Sequence, residues 1–163
     1  MLRSGNDTAV ALACHVKDNI NDFALLMNET ARKIEAKNSN FTNPHGLHDD
    51  NHYTTALDLA KITCYALKNP TFSKIVETKK ITIENSDGYR RVLINKNKML
   101  SIYPDSIGVK TGYTKKAGRC LVSAINYNGL KAVCVVLNCP QTYERSCALF
   151  DNAKKRLYNE KSN

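Results

Sequence analysis

No two cysteines in this sequence are spaced C-x-x-C, which excludes the strong zinc-knuckle and thioredoxin signatures. No run approaches the roughly eighteen consecutive apolar residues that a membrane span needs. The opening stretch, MLRSGNDTAV, has no apolar segment of signal-peptide type, so the chain as expressed is expected to stay in the cytoplasm. Tryptophan is absent, which says nothing about function. Acidic residues are few beside basic ones, 15 against 24, and the resulting formal charge of +9 raises an anionic partner: nucleic acid, an anionic membrane surface or an acidic polymer. Neither an internal repeat nor a low-complexity linker divides the 163 residues, and 42% hydrophobic residues suffice to bury the core of one domain. The six cysteines, 14, 64, 120, 134, 139 and 147, lie mostly in apolar runs and are read as buried thiols rather than a disulfide framework.

The stretch SGNDTAVALACHV predicts a helix starting just after Asn6, its first turn capped by Ser4 or Asp7. A second helix is predicted over 21–37, with Ile20, Phe23, Met27 and Ile34 on one 3.6-residue face. NSNFTNPHGLHDDN breaks the periodicity and marks a long structured loop. Thr55 with Asp58 forms a capping-box-like start to a third helix that stops at Asn69-Pro70, and a short helix near 72–76 follows. From Lys80 the period becomes two: KITIEN and YRRVLINKN, joined by Ser86-Asp87-Gly88, predict a peripheral hairpin with polar faces.

GVKTGYT, RCLVSAINY and LKAVCVVLN carry the strongest strand signal, the last two joined by Asn128-Gly129. Both central residues of a type I′ turn need positive φ, so this dipeptide sets a two-residue hairpin. Its register pairs Tyr127 with Leu130, Ile125 with Ala132, Ser123 with Cys134 and Leu121 with Val136. One face is then Leu121, Ile125, Leu130, Cys134 and Val136, the other Val122, Ala124, Val133, Val135 and Leu137. With both faces apolar, the sheet must be covered on both sides by helices. One cover is TYERSCALFDNAKKRL, through Cys147, Leu149 or Phe150, Ala153 and Leu157. The fold class is therefore α+β, an antiparallel sheet flanked by helices. It divides into a helical region over 1–70, the hairpin over 78–98, and strands with a final helix over 107–158.

Ser4-Gly5-Asn6 precedes the first helix, and Lys110-Thr111-Gly112 lies on the strand that opens the final sheet. Taken singly, the first is an ordinary cap and the second an edge strand before a turn. Together they match two of the three elements, S-x-x-K, S-x-N and K-T-G, of penicillin-binding and serine β-lactamase sites. MLRSGNDTAVALACHV, FTNPHGLHDDNHYTTALDLAKI and GVKTGYTKKAGRCLVSAIN extend the likeness over essentially the whole chain. The sequence resembles the low-molecular-mass D-alanyl-D-alanine carboxypeptidases, peptidase family S11, which implies the penicillin-binding (DD-peptidase) fold.

The resemblance fails at one element. No serine is followed by lysine three positions later; the nearest patterns, Thr30-Ala31-Arg32-Lys33 and Thr71-Phe72-Ser73-Lys74, use threonine and follow S-x-N instead of preceding it. Met1-Leu2-Arg3 also reads like the family's interior just before S-x-N. The expectation is a single partial catalytic domain over 1–163, the C-terminal two-thirds or so of the family's, without the helix that carries the nucleophilic serine and its lysine.

The family's reaction implies an acyl-enzyme formed as the absent serine attacks the carbonyl between two D-alanines, followed by release of the shortened stem peptide by water. On the residues present, Ser4 would relay a proton to the leaving D-alanine, and Asn6 would hydrogen-bond the substrate amide. Lys110 would place positive charge by the substrate carboxylate, and Thr111 would hydrogen-bond it. Gly112 would let the substrate backbone lie against the strand, and the Tyr113 amide would give one oxyanion-hole donor. The implied partner is a peptidoglycan stem peptide ending in D-Ala-D-Ala, with β-lactams bound only by the full-length parent, an extracytoplasmic enzyme of the cell envelope. The family needs no cofactor or metal, and a metal site among His45, His48, Asp49, Asp50 and His52 is disfavoured by its unspecific spacing. The basic clusters Arg90-Arg91, Lys115-Lys116 and Lys154-Lys155-Arg156 lack interleaved aromatics, which argues against nucleic acid and for solvated faces. Two readings follow: an inactive piece of a carboxypeptidase, or a nucleophile-free module that binds peptide ends through Lys110, Thr111 and Asn6. A missing helix and strand would expose an apolar groove and a strand edge, so self-association is expected.

Overall fold

The computed structural model describes residues 1–161, with side chains through Arg156. Helices α1 (Asn6–Val16), α2 (Ile20–Lys33), α3 (Ala56–Ala66) and α4 (Pro70–Glu77) come first. A two-stranded antiparallel hairpin, β1 (Lys80–Glu84) and β2 (Arg90–Ile94), follows, then the one-turn helix α5 (Met99–Ile102), which the sequence reading did not anticipate. The chain ends in the antiparallel sheet β3 (Ser106–Thr114), β4 (Gly118–Tyr127) and β5 (Leu130–Val136), and in α6 (Thr142–Lys161).

The β4–β5 register is the expected one, from Tyr127↔Leu130 through Leu121↔Val136. Asn128 and Gly129 turn with φ of 51° and 82°, both positive as a type I′ turn requires. Because β4 side chains alternate, the sheet builds two cores. On one face Leu121, Ile125, Cys134 and Val136 close on Met99 of α5, Tyr103 just after it and Phe150 of α6. On the other, Val109 and Ala124 pack with Leu67 after α3 and Val76 of α4. Of the alternatives on α6, Phe150 is buried and Leu149 exposed; the Leu157 side chain lies outside the described residues. A bulge between Ser106 and Gly108 bends β3 beside α4. Gly108 has φ 129°, and a Cβ there would stand 3.1 Å from the Val76 side chain, so only glycine lets the two elements approach this closely.

Several local expectations are corrected. Of the two candidate caps of α1, Ser4 is held elsewhere and does not serve; Gly5, without a side chain, is the N-cap, and Asp7 Oδ1 accepts from the first-turn Thr8 amide at 2.8 Å. Helix α2 stops at Lys33, four residues early, where Glu35 turns out at φ 63° in the left-handed conformation that ends helices. Thr55 does cap α3 by accepting from the Asp58 amide, but the Asp58 carboxylate does not reach back; it is buried and bonds the preceding loop. The β1–β2 hairpin does not have polar faces: Ile81, Ile83, Val92 and Ile94 are exposed on a ribbon too thin to bury them. All six cysteines are free, yet Cys14 and Cys64 are exposed and only Cys134 is buried, since α1 and α3 turn those positions outward. Among the described residues no helix is long and apolar enough to cross a membrane.

Candidate active site

The first residues are moored to the hairpin before α1 begins. The Lys96 amide donates to the Leu2 carbonyl at 3.1 Å, the Leu2 side chain is buried, and Arg3 reaches the Ile94 carbonyl at 3.3 Å. A turn from the Ser4 amide to the Met1 carbonyl, 3.1 Å, leaves Ser4 at φ 56° and its hydroxyl pointing at the sheet. There it accepts a hydrogen bond from Lys110 Nζ at 2.8 Å, across 106 positions of sequence. Lys110 Nζ donates also to the Thr111 carbonyl. Burial, and secondarily the charge of Lys96, push Lys110 below the ordinary lysine range.

Ser4, Asn6, Lys110, Thr111, Gly112 and Tyr113, all six sequence-predicted site residues, line one cleft of about 830 Å³. Among the described residues β3 pairs only with β4, so its other edge is open to receive an extended ligand. A Cβ on Gly112 would meet only Cys120 Cβ, at an ordinary 3.7 Å. The fold therefore does not demand glycine here, and the missing side chain leaves space on the ligand side. Tyr113, 69% exposed, stands beyond it.

The opposite wall is the 41–52 loop, whose shape rests on side chains that sequence reasoning missed. Asn40 and Tyr53 close its neck by paired backbone bonds of 2.9 and 3.0 Å. Asn28 of α2 grips Phe41 at both backbone groups, donating to its carbonyl at 2.8 Å and accepting from its amide at 2.7 Å. Asn43 Oδ1 accepts from the Gly46 amide at 2.7 Å and Asn43 Nδ2 donates to the Leu47 carbonyl at 3.1 Å, which makes Asn43-Pro44-His45-Gly46 a fixed turn. His52 Nδ1 accepts from the Thr42 amide at 3.1 Å, and burial lowers its pKa, so the ring is held in a neutral form. Beneath the loop, Asp58 Oδ2 accepts from the Asn38 amide at 2.7 Å and from Ser39 Oγ at 2.8 Å. In sequence Asn28 and Asp58 carry only helix-surface and capping signals, since their partners stand 13 and 20 positions away. The three histidines diverge: His48 meets Asp50 at 3.2 Å and His52 meets Thr42. Among the described residues no three metal-ligating side chains come together.

The arrangement can bind an anion at Lys110 and Thr111, pass a proton along the Lys110–Ser4 hydrogen bond, and align an extended backbone beside Gly112. No serine of this chain has a lysine three positions on, so the S-x-x-K nucleophile is not part of the site described.

Comparison with known proteins places the chain among its relatives. The peptidase S11 family, D-alanyl-D-alanine carboxypeptidase, matches residues 1–141. The D-alanyl-D-alanine carboxypeptidase DacF of Bacillus subtilis is 32% identical over 145 residues, covering 89% of this chain and 37% of that protein. DacA of Haemophilus influenzae is 37% identical over 143 residues, covering 86% of this chain and 35% of that protein. Among solved structures, a D-alanyl-D-alanine carboxypeptidase from Mycobacterium tuberculosis superposes with TM-score 0.82 at 29% identity, covering 91% of this chain and 58% of the other. A mutant of a Streptomyces DD-transpeptidase gives TM-score 0.79 at 34% identity, covering 85% of this chain and 57% of the other. The chain thus spans between about a third and three-fifths of the length of these relatives.

Proposed function

Because the chain belongs to the S11 peptidase family of D-alanyl-D-alanine carboxypeptidases, we propose that its cleft receives peptidoglycan stem peptides ending in D-Ala-D-Ala, in a cell-envelope enzyme of serine type, and that this chain alone forms no acyl-enzyme. The observation that carries the reading is the 2.8 Å hydrogen bond from Lys110 to Ser4 beside an open strand edge at Gly112. Lys110 and Thr111 hold the terminal carboxylate, Ser4 relays the proton to the leaving D-alanine, Asn6 engages the substrate amide, and the Tyr113 amide supplies one of two oxyanion donors. The nucleophile and the second donor come from an S-x-x-K helix that these residues do not include. Residues 1–163 act on this reading as a partial catalytic domain.

The test is intact-mass spectrometry after incubation with a fluorescent penicillin, run beside a binding titration with a labelled acetyl-Gln-D-Ala-D-Ala peptide. An unchanged mass together with D-Ala-D-Ala binding, and no binding of the L-Ala-L-Ala counterpart, is the expected result. A stoichiometric adduct, on Ser4 above all, would sink the claim that the chain lacks its nucleophile. The binding elements of β3 are complete within the chain, which favours a second reading as a nucleophile-free module for peptide ends; an in-frame S-x-x-K upstream in the gene separates the two.

Self-association belongs to the same reading. Among the described residues strand β5 bonds only to β4, and Leu12, Leu25 and Leu57 of the first three helices are each more than 60% exposed. Unpaired edges and exposed apolar side chains favour pairing with a second copy. Sedimentation at micromolar concentration is expected to show dimers or larger species, and a stable compact monomer is the contrary result.

A further inference from the structure

The wall of the cleft carries Lys96, Lys110 and Arg119, and neither aspartate nor glutamate is among the described residues that line it. The acids of the neighbouring loop are turned to other uses: Asp50 meets His48 at 3.2 Å, and Asp49 Oδ1 accepts from the Asn51 amide at 2.8 Å. One of the three cations, Lys110, is committed to the terminal carboxylate on the reading above, and Lys96 stands near enough to depress it. Arg119 has no such assignment. It is the cross-strand partner of Tyr113 across β3–β4, two register positions from the Thr111–Leu121 pair. Side chains two positions apart on a strand share a face, and two residues of antiparallel strand span about 7 Å. Arg119 therefore stands on the same face as Thr111 and Tyr113, displaced along β3 by about the length of a dipeptide.

We propose that the cleft selects peptides with a second acidic group a residue or two before the terminal carboxylate, and that Arg119 is the residue that recognises it. The inference rests on the peptide-end reading of this site and adds to it the class of peptide preferred. An extended peptide along the open edge of β3, with its terminal carboxylate at Lys110 and Thr111, brings its preceding residues toward Tyr113 and hence toward Arg119. The guanidinium, a planar fork of donors, suits a carboxylate there and gains nothing comparable from a carboxamide. Among the described residues no acid lines the wall to compete for it.

The experiment compares two isosteric probes, fluorophore-labelled Glu-D-Ala-D-Ala and Gln-D-Ala-D-Ala, by anisotropy at low salt. The glutamyl peptide is expected to bind about five-fold tighter, as befits an exposed ion pair, with the advantage shrinking as salt is added. Arg119→Gln should erase the preference by weakening the glutamyl peptide more than the glutaminyl one, and Arg119→Lys should restore part of it. Equal binding of both probes, or a preference that survives Arg119→Gln, overturns the proposal and leaves the peptide-end reading standing. Binding of neither probe overturns the peptide-end reading itself and the proposal with it.

Discussion

Replacing Lys110 with methionine is expected to weaken binding of a D-Ala-D-Ala peptide by roughly 10- to 100-fold, because a hydrogen bond to an ionised group is worth about 1.5–3 kcal/mol and each 1.4 kcal/mol is tenfold in affinity. Fold stability should change by no more than about 1 kcal/mol, since methionine keeps the aliphatic stem packed and the Ser4 hydroxyl, on an exposed residue, turns to water. Calorimetric titration with the peptide, with urea unfolding as control, reads both quantities; undiminished affinity would remove Lys110 from the site. The pH dependence has a definite sign. Burial depresses the Lys110 pKa, so the ammonium loses its proton at a lower pH than an ordinary lysine does. Affinity for the carboxylate should therefore fall as pH rises through that lowered value, before the ordinary lysine range is reached. Stability moves the other way: in the window between the folded and unfolded pKa values the unfolded chain binds more protons, so this group's contribution to stability grows with pH. An affinity that stayed level through the whole ordinary lysine range would contradict the depressed value.

Asp58→Ala is expected to be the most damaging single change to the cleft wall. The residue is fully buried, and its Oδ2 satisfies both the Asn38 amide and Ser39 Oγ, which in turn contacts Thr54 Oγ1 at 2.8 Å. Alanine strands those donors and leaves a void, a combined loss of about 3–5 kcal/mol. At roughly 2–4 °C per kcal/mol for a chain of this size, the melting temperature should drop by about 10 °C. Asp58→Asn keeps an acceptor oxygen and should cost about 1–2 kcal/mol. Because the strand-like entry to the 41–52 loop is built on these bonds, peptide affinity should fall in the alanine variant even below its melting transition. A loss of less than 1 kcal/mol in urea unfolding would show that the carboxylate does not organise this wall.

Much of the fold was legible because its signals are local. Asn128-Gly129 announces a two-residue hairpin, and once the turn is set the alternation of side chains dictates the whole β4–β5 register and the two apolar faces. Thr55, Asn69 and Pro70 mark helix ends by the same short-range chemistry. The errors fall where local signals and tertiary partners disagree. Ser4 has the composition of a cap, yet its hydroxyl serves Lys110; Asp58 looks like half a capping box, yet its carboxylate holds the loop before α3. Cys14 and Cys64 sit in apolar stretches, but only the placement of their helices decides that they face outward.

The candidate site divides in the same way. S-x-N and K-T-G were recognisable as short motifs, and by resemblance they carried Ser4, Asn6, Lys110, Thr111, Gly112 and Tyr113 into one site. All six line one cleft. Lys96 and Arg119 carried no signal, because a lysine after a hairpin and an arginine at the start of a strand are ordinary solvated residues until something faces them. What the sequence determined by itself is the family, the turn-set register of the sheet and the absence of an S-x-x-K serine, all of which depend on residues near one another in the chain. What only the tertiary structure decided is the convergence of α1, β3, the hairpin end and the 41–52 loop on one cleft that no acid lines among the described residues. Coulomb interactions and hydrogen bonds act through space over a few ångströms, and spacing along the chain does not encode which distant residues will come within that reach.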